Sequence, residues 1–213
     1  MIQPYDALLF DMDGVLVDVT KSYRKAIQQT AEYFLKREVL LLEVKKIKSQ
    51  VGMNNDWDAT YALIDNSSIP YNDVKNFFQK LYWENNGKKG LIVDETLFLS
   101  KKTLLRLKQA YGKMGIVTGR PCIEAQYGID RFELKEVFDI LIGKEDVKKE
   151  KPFPDPLIYA AKRINAKNAV YIGDSPSDIV AANAADMQSI FIGKQNLGTF
   201  RFQTALEIVD FLL

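Results

Sequence analysis

The chain has 213 residues, 47% hydrophobic and 27% charged, with a formal net charge of +1. That composition fits an ordinary globular protein with one good core, or a core and a smaller insert, and it holds no charge block suited to nucleic acid or a membrane surface. With one cysteine, Cys122, and no histidine, an intrachain disulfide framework, histidine acid–base chemistry and histidine metal sites are excluded, so catalysis must use carboxylates, hydroxyls or lysine. No signal peptide and no run of about 18 apolar residues is read, so a cytoplasmic location is expected.

The first predicted element is a strand. Ala7 to Phe10 is a short apolar run that suits burial on both faces. It ends in Asp11-Met12-Asp13-Gly14, followed by Val15-Leu16-Val17-Asp18. Two carboxylates at i and i+2 on a buried strand end resist joint ionisation unless a cation or a strong donor lies between them. Mg²⁺ prefers such oxygen ligands, and Gly14 lets the backbone turn and approach a ligand. Taken alone, the same letters also make an acidic turn.

Helical spacing then predicts four helices, at about 20–37, 39–50, 56–64 and around Val74–Leu81, with breaks at Gly52–Asp56, Asn66–Pro70 and Asn85–Gly90. From Leu91 the pattern alternates. Helices are expected around Leu104–Tyr111, at 122–128 with Pro121 in first helical position, from near Pro156, at Pro176–Ala184 and at Thr204–Leu213. Strands are expected at 114–117, 138–142, 169–172 and 188–192. Such alternation predicts a parallel sheet with both faces covered.

Three further strand-end or loop motifs carry chemistry. In Ile116-Val117-Thr118-Gly119-Arg120-Pro121, a hydroxyl and backbone N–H groups at a helix start suit an anion, although Thr118 can equally serve as a cap. In Lys151-Pro152-Phe153-Pro154-Asp155-Pro156, three prolines hold one ammonium on a rigid lead-in, where it could neutralise phosphate or hold a carboxylate; a plain surface lysine is the alternative. In Gly173-Asp174-Ser175-Pro176-Ser177-Asp178, Ser175 and Asp178 form a capping box, which accounts for Asp178 but not for the acid at 174.

In this order and spacing the four motifs resemble the complete set of the haloacid dehalogenase-like hydrolase superfamily. The helical stretch directly after the first motif is similar to its helical-cap subfamily, which includes phosphoglycolate phosphatase-like enzymes and β-phosphoglucomutase. The resemblance implies an α/β fold: a doubly wound, Rossmann-like parallel core, residues 1–18 and 91–213, with an inserted all-helical cap, residues 19–90. It implies a Mg²⁺-dependent phosphatase acting on a small phosphorylated metabolite, a sugar phosphate or phosphoglycolate. Asp11 is then the nucleophile that becomes an aspartyl-phosphate, and Asp13 the general acid/base. Asp11, the Asp13 carbonyl and Asp174 hold the metal; Thr118, Gly119 and Lys151 hold phosphate; Asp178 stands behind them or orients Lys151. Asn54 and Asn55, in the turn of the cap, are expected to set substrate choice. Trp57 there is either an apolar wall or core of the cap, and Lys21 and Arg24 could also face substrate.

The family's dehalogenases lack an acid at the position of Asp13, which favours phosphatase chemistry. A phosphomutase keeps it, but β-phosphoglucomutase also has a cap histidine, absent here. The remaining alternative is a non-catalytic binding protein of the same fold. No nucleic-acid or membrane partner is expected, and the chain is expected to act as a monomer or homodimer.

Overall fold

The structure is a computed structural model that describes residues 5–53, 55–85 and 87–213. The chain forms two compact units, Met1–Val17 with Leu97–Leu213, and Asp18–Thr96. The sequence reading drew the boundaries at 18/19 and 90/91; in the structure the second falls at 96/97.

In chain order the elements are β1 (Ala7–Phe10), β2 (Val17–Asp18), α1 (Tyr23–Leu35), α2 (Leu41–Lys48), α3 (Asp56–Ile64), α4 (Tyr71–Tyr82), β3 (Glu84–Asn85), β4 (Lys88–Lys89) and β5 (Thr96–Leu97). There follow α5 (Lys101–Tyr111), β6 (Met114–Val117), α6 (Cys122–Arg131), β7 (Ile140–Ile142), α7 (Asp155–Arg163), β8 (Ala169–Gly173), α8 (Pro176–Ala184), β9 (Gln188–Ile192), β10 (Phe200–Phe202) and α9 (Ala205–Leu212).

The larger unit is built on a six-stranded sheet of order β10-β9-β8-β1-β6-β7. Its pairings are parallel. The chain therefore winds outward from β1 through β6 to β7, then returns to the other side of β1 and winds through β8 to β10. The switch point lies at the carboxyl ends of β6, β1 and β8, where ligands collect in folds of this kind. All four residues of β1 are at most 1% exposed, as a strand covered on both faces requires. On one face Ala7, Leu9, Val117, Ile142 and Tyr171 pack with Leu157 and Ala160 of α7 and Ala181 and Ala182 of α8. Each large apolar side chain so buried contributes roughly 1.5–3 kcal/mol.

The smaller unit is helical. Tyr23, Ala26, Ile27, Thr30 and Ala31 form the buried stripe of α1, and Val74, Phe78 and Tyr82 that of α4. The Tyr23 and Tyr82 rings stack with centroids 3.9 Å apart. Residues 91–94, which the sequence reading gave to the other unit, form a short 3-10 turn that packs on α1 and α4.

Four differences from the predicted elements have local causes. Helix α1 begins at Tyr23 rather than Thr20 and stops before Lys36, which is left-handed at φ 54°. Pro121 precedes α6 in an extended conformation, φ −52° and ψ 139°, instead of occupying its first turn. Strand β7 starts at Ile140, just past Asp139, whose N–H donates to Met114 O at 2.8 Å and whose carboxylate accepts from Met114 N at 2.8 Å. Strand β10 was not expected; Phe200-Arg201-Phe202 alternates in burial but lies just past Gly198, which reads as loop.

Candidate active site

Strand register places the site. Leu9 pairs with Tyr171 and Phe10 with Ile172, while Phe10 pairs with Ile116 on the other side. One step further, Asp11 stands level with Val117 and Gly173, and its N–H donates to Ile172 O at 2.8 Å. The acid thus ends the central strand, flanked by the ends of its two neighbours. It is 4% exposed.

Lys151 comes to it from the proline-bound segment, whose Lys151–Pro152 peptide bond is cis. The ammonium is 5% exposed as a residue and donates to Asp11 Oδ1 at 3.0 Å, Asp178 Oδ1 at 2.7 Å, Tyr171 OH at 2.8 Å and Val117 O at 3.2 Å. Four acceptors compete for three protons. A phosphate oxygen would therefore have to displace one of them, and the Val117 carbonyl is the most distant. Burial acts to lower the Lys151 pKa, but Asp11 and Asp178 outweigh it and hold the ammonium above its ordinary value.

The Asp178 carboxylate caps α8 with one oxygen and contacts Lys151 with the other. Its Oδ2 accepts from Ser175 N at 3.0 Å, Ser175 Oγ at 2.7 Å and Asp174 N at 3.2 Å, which starts α8. Its Oδ1 holds Lys151. The hydroxyl of Tyr171, raised well above its usual pKa by burial and then by Asp178 and Asp11, donates to Val117 O at 2.9 Å.

Burial is the main cause that pushes Asp11 up to about 7; Lys151 opposes it, and the charges of Asp178 and Asp13 add to it. A carboxyl so placed gains from a nearby cation. Oxygens of Asp11, Asp174 and Asp178 lie within 4.8 Å of one another. Since both oxygens of Asp178 are engaged, Asp11 and Asp174 are the pair suited to a shared ion. The oxygen-only donor set of Asp11 and Asp174 fits a hard divalent cation such as Mg²⁺.

The second motif forms a tight turn. Thr118, 5% exposed, donates its N–H to Ile142 O at 2.9 Å, and its Oγ accepts from Arg120 N at 3.2 Å. A hydroxyl that accepts one bond can still donate another. Gly119 lies within this turn. Arg120, which the sequence reading passed over, is 2% exposed and donates from Nε to Asp13 Oδ1 at 2.6 Å, with a second, shorter contact from its terminal nitrogen. A charged residue between a buried strand and a helix start was the available signal. Tyr171 was also missed, although a hydroxyl in an otherwise aliphatic buried strand must find a partner.

In the helical unit, Asn54 lies outside the described residues. Asn55 caps α3, its side chain accepting from Trp57 N at 3.0 Å. The ammonium of Lys75 sits 3.9 Å over the Trp57 ring. Burial acts to raise the pKa of the Asp18 carboxyl, but hydrogen bonds from Thr20 outweigh it, and Arg24 and Lys21 add to them, so that it lies below its usual range.

This site is found on a chain with many relatives. It is 34% identical over 194 residues to an imidazoleglycerol-phosphate dehydratase of Phytophthora nicotianae; the match takes in 87% of this chain but spans only 42% of that protein. It is 28% identical over 204 residues to a phosphoglycolate phosphatase of Colwellia psychrerythraea, covering 89% of this chain and 84% of that one. In fold it is similar to the crystal structure of CbbY from Rhodobacter sphaeroides in complex with phosphate, with TM-score 0.75, 18% identity and 96% of each chain covered. The match that decides the family spans both strand-end acids and everything between, residues 8–192: the chain belongs to the haloacid dehalogenase-like hydrolases and resembles their phosphatases.

Proposed function

We propose that the chain is a Mg²⁺-dependent phosphatase that hydrolyses a small phosphate monoester, of sugar phosphate or phosphoglycolate type, through an aspartyl-phosphate on Asp11. The observation that carries this reading is the meeting of the Asp11 and Asp174 carboxylates beside a buried, fixed ammonium at the sheet's switch point.

In the proposed reaction an Asp11 oxygen attacks phosphorus and the ester P–O bond breaks. The carboxyl of Asp13 gives its proton to the departing alkoxide. The resulting carboxylate then takes a proton from water as that water attacks the acyl-phosphate, freeing inorganic phosphate and Asp11. Thr118, the Gly119 N–H and Lys151 hold phosphate oxygens. Asp178 keeps Lys151 in place through its 2.7 Å contact. Asp11, the Asp13 backbone carbonyl and Asp174 would hold Mg²⁺, which supplies charge neutralisation for the transferring phosphoryl group. Choice among esters is assigned to the turn bearing Asn54 and Asn55; the capping bond of Asn55 means that its replacement also weakens α3.

The test is release of inorganic phosphate from p-nitrophenyl phosphate and a panel of phosphorylated metabolites with Mg²⁺ present. Turnover that disappears in D11N supports the reading. Absence of turnover in the wild type overturns it in favour of a binding protein, and transfer between two positions of a sugar phosphate without phosphate release favours a mutase.

A further inference from the structure

We infer that Arg120 is a positioning residue for the proposed general acid/base, holding the Asp13 carboxyl through its Oδ1 in one fixed orientation. The inference rests on the phosphatase reading above and adds to it a residue that the four motifs do not assign.

The guanidinium is unusual for a surface-forming turn. Its side chain is 1% exposed, while that of Asp13 is 27% exposed. A buried guanidinium cannot shed its charge and needs an anion at contact. Here both contacts, from Nε at 2.6 Å and from a terminal nitrogen, fall on the same oxygen, Oδ1 of Asp13. A bidentate pair would have spread over both oxygens of the carboxyl; these two contacts converge on Oδ1 and set the orientation of the group.

Both partners are held by backbone that cannot easily drift. The main chain of Arg120 is fixed at its N–H by Thr118 Oγ at 3.2 Å and at its carbonyl by Lys144 N at 2.8 Å. Gly143 packs on that carbonyl so closely that a Cβ there would lie 3.1 Å from it. Asp13 sits in a turn closed by Gly14 N to Val17 O at 2.9 Å and Val17 N to Met12 O at 2.9 Å. A rigid cation on a rigid turn thus meets an acid on a second rigid turn. That is the support that proton transfer within a few tenths of an ångström requires.

Leaving-group dependence separates positioning from mere structure. A simple alkyl phosphate needs its departing oxygen protonated; 2,4-dinitrophenyl phosphate scarcely does, because the phenolate leaves unaided. We expect R120Q to lower kcat/KM for the alkyl ester by about 10²-fold, the scale of a lost general acid, with a loss for the dinitrophenyl ester at least about tenfold smaller. D13N should show the same skew, and R120Q added to D13N should add little to it. R120K keeps the charge on a flexible stem and should recover part of the alkyl-ester rate; if R120Q does not fold by circular dichroism, the ratio in R120K decides. Equal losses on both esters overturn the assignment of Arg120 alone. A wild type inert toward both esters defeats the phosphatase reading, and this assignment with it.

Discussion

Gly14 and Asp174 touch. The backbone of Gly14, at φ +75°, lies so close to the Asp174 carboxylate that a Cβ would sit 1.9 Å from Oδ2. The turn after the first motif and the end of β8 therefore approach within a distance that only a missing side chain permits. G14A meets two penalties: a left-handed backbone, which costs about 1 kcal/mol for alanine, and displacement of the carboxylate. We expect a modest fall in Tm, a few degrees, and a far larger fall in phosphatase activity, because the carboxylate that must move is a proposed metal ligand. Equal activity in G14A and wild type would show that Asp174 can shift without consequence.

Asp11 gives a pH dependence with a definite sign. Its folded pKa, about 7, lies above the ordinary 3.8 because burial disfavours the charged form. Between those values the folded state binds the extra proton, so this contribution to stability is complete below pH 3.8 and is lost as pH rises through 7. Metal-free wild type should accordingly lose stability relative to D11N, which does not titrate, on going from pH 5 to pH 8. Chemical denaturation of both proteins at the two pH values measures the difference. A gap independent of pH would mean that burial does not dominate at this carboxyl.

Adding Mg²⁺ at pH 8 should reverse that loss. An ion that binds only the folded state stabilises by about 2.7 kcal/mol at 100 times its Kd, which for a chain of this size is a rise of about 5–10 °C in Tm. D11N and D174N should each lose most of the rise. Thermal melts with and without Mg²⁺ or a chelator test this apart from activity, and an undiminished rise in D174N would place the ion elsewhere.

Asp178 explains both the reach and the limit of the sequence. Ser175 and Asp178 spell a capping box, and that box forms. What the letters do not show is that the second oxygen of the same carboxylate holds a lysine 27 residues away, since capping is local and the lysine contact is tertiary. The strands of the core and the acids at their ends were legible because buried parallel strands are short apolar runs, and a charge at their edge stands out. Arg120 was not, because its meaning comes from burial against a turn 107 residues distant. Asn55 was read for its polarity; the structure adds that its side chain caps α3. D178A should therefore be worse than loss of a cap alone. It removes an N-cap partner, worth about 1 kcal/mol, and leaves a buried ammonium short of an anion, a change on the order of 3–5 kcal/mol. S175A, which breaks only the cap, should cost about 1 kcal/mol; similar values for the two variants would show that Lys151 does not depend on Asp178.

Cys122 begins α6, a position at which the helix terminus ordinarily favours a thiolate. Here the surroundings act against it. Burial comes first, and then Glu145 and Asp146 push the thiol up to about 12. The contacts are explicit: Cys122 N donates to Glu145 Oε2 at 2.8 Å, and Sγ donates to Asp146 Oδ2 at 3.3 Å. Two carboxylates facing the sulfur outweigh the partial charge of one helix end. At pH 8 the thiolate fraction is then on the order of 10⁻⁴, against roughly a quarter for a free thiol. The half-buried Cys122 should react with iodoacetamide far more slowly than free cysteine at pH 8, with the rate climbing steadily to above pH 10. D146N, which removes one charge and the acceptor for the thiol, should speed alkylation several-fold at pH 8. A wild-type rate equal to that of a free thiol, or a D146N rate unchanged from wild type, would mean that the helix terminus and not the acid pair governs this sulfur.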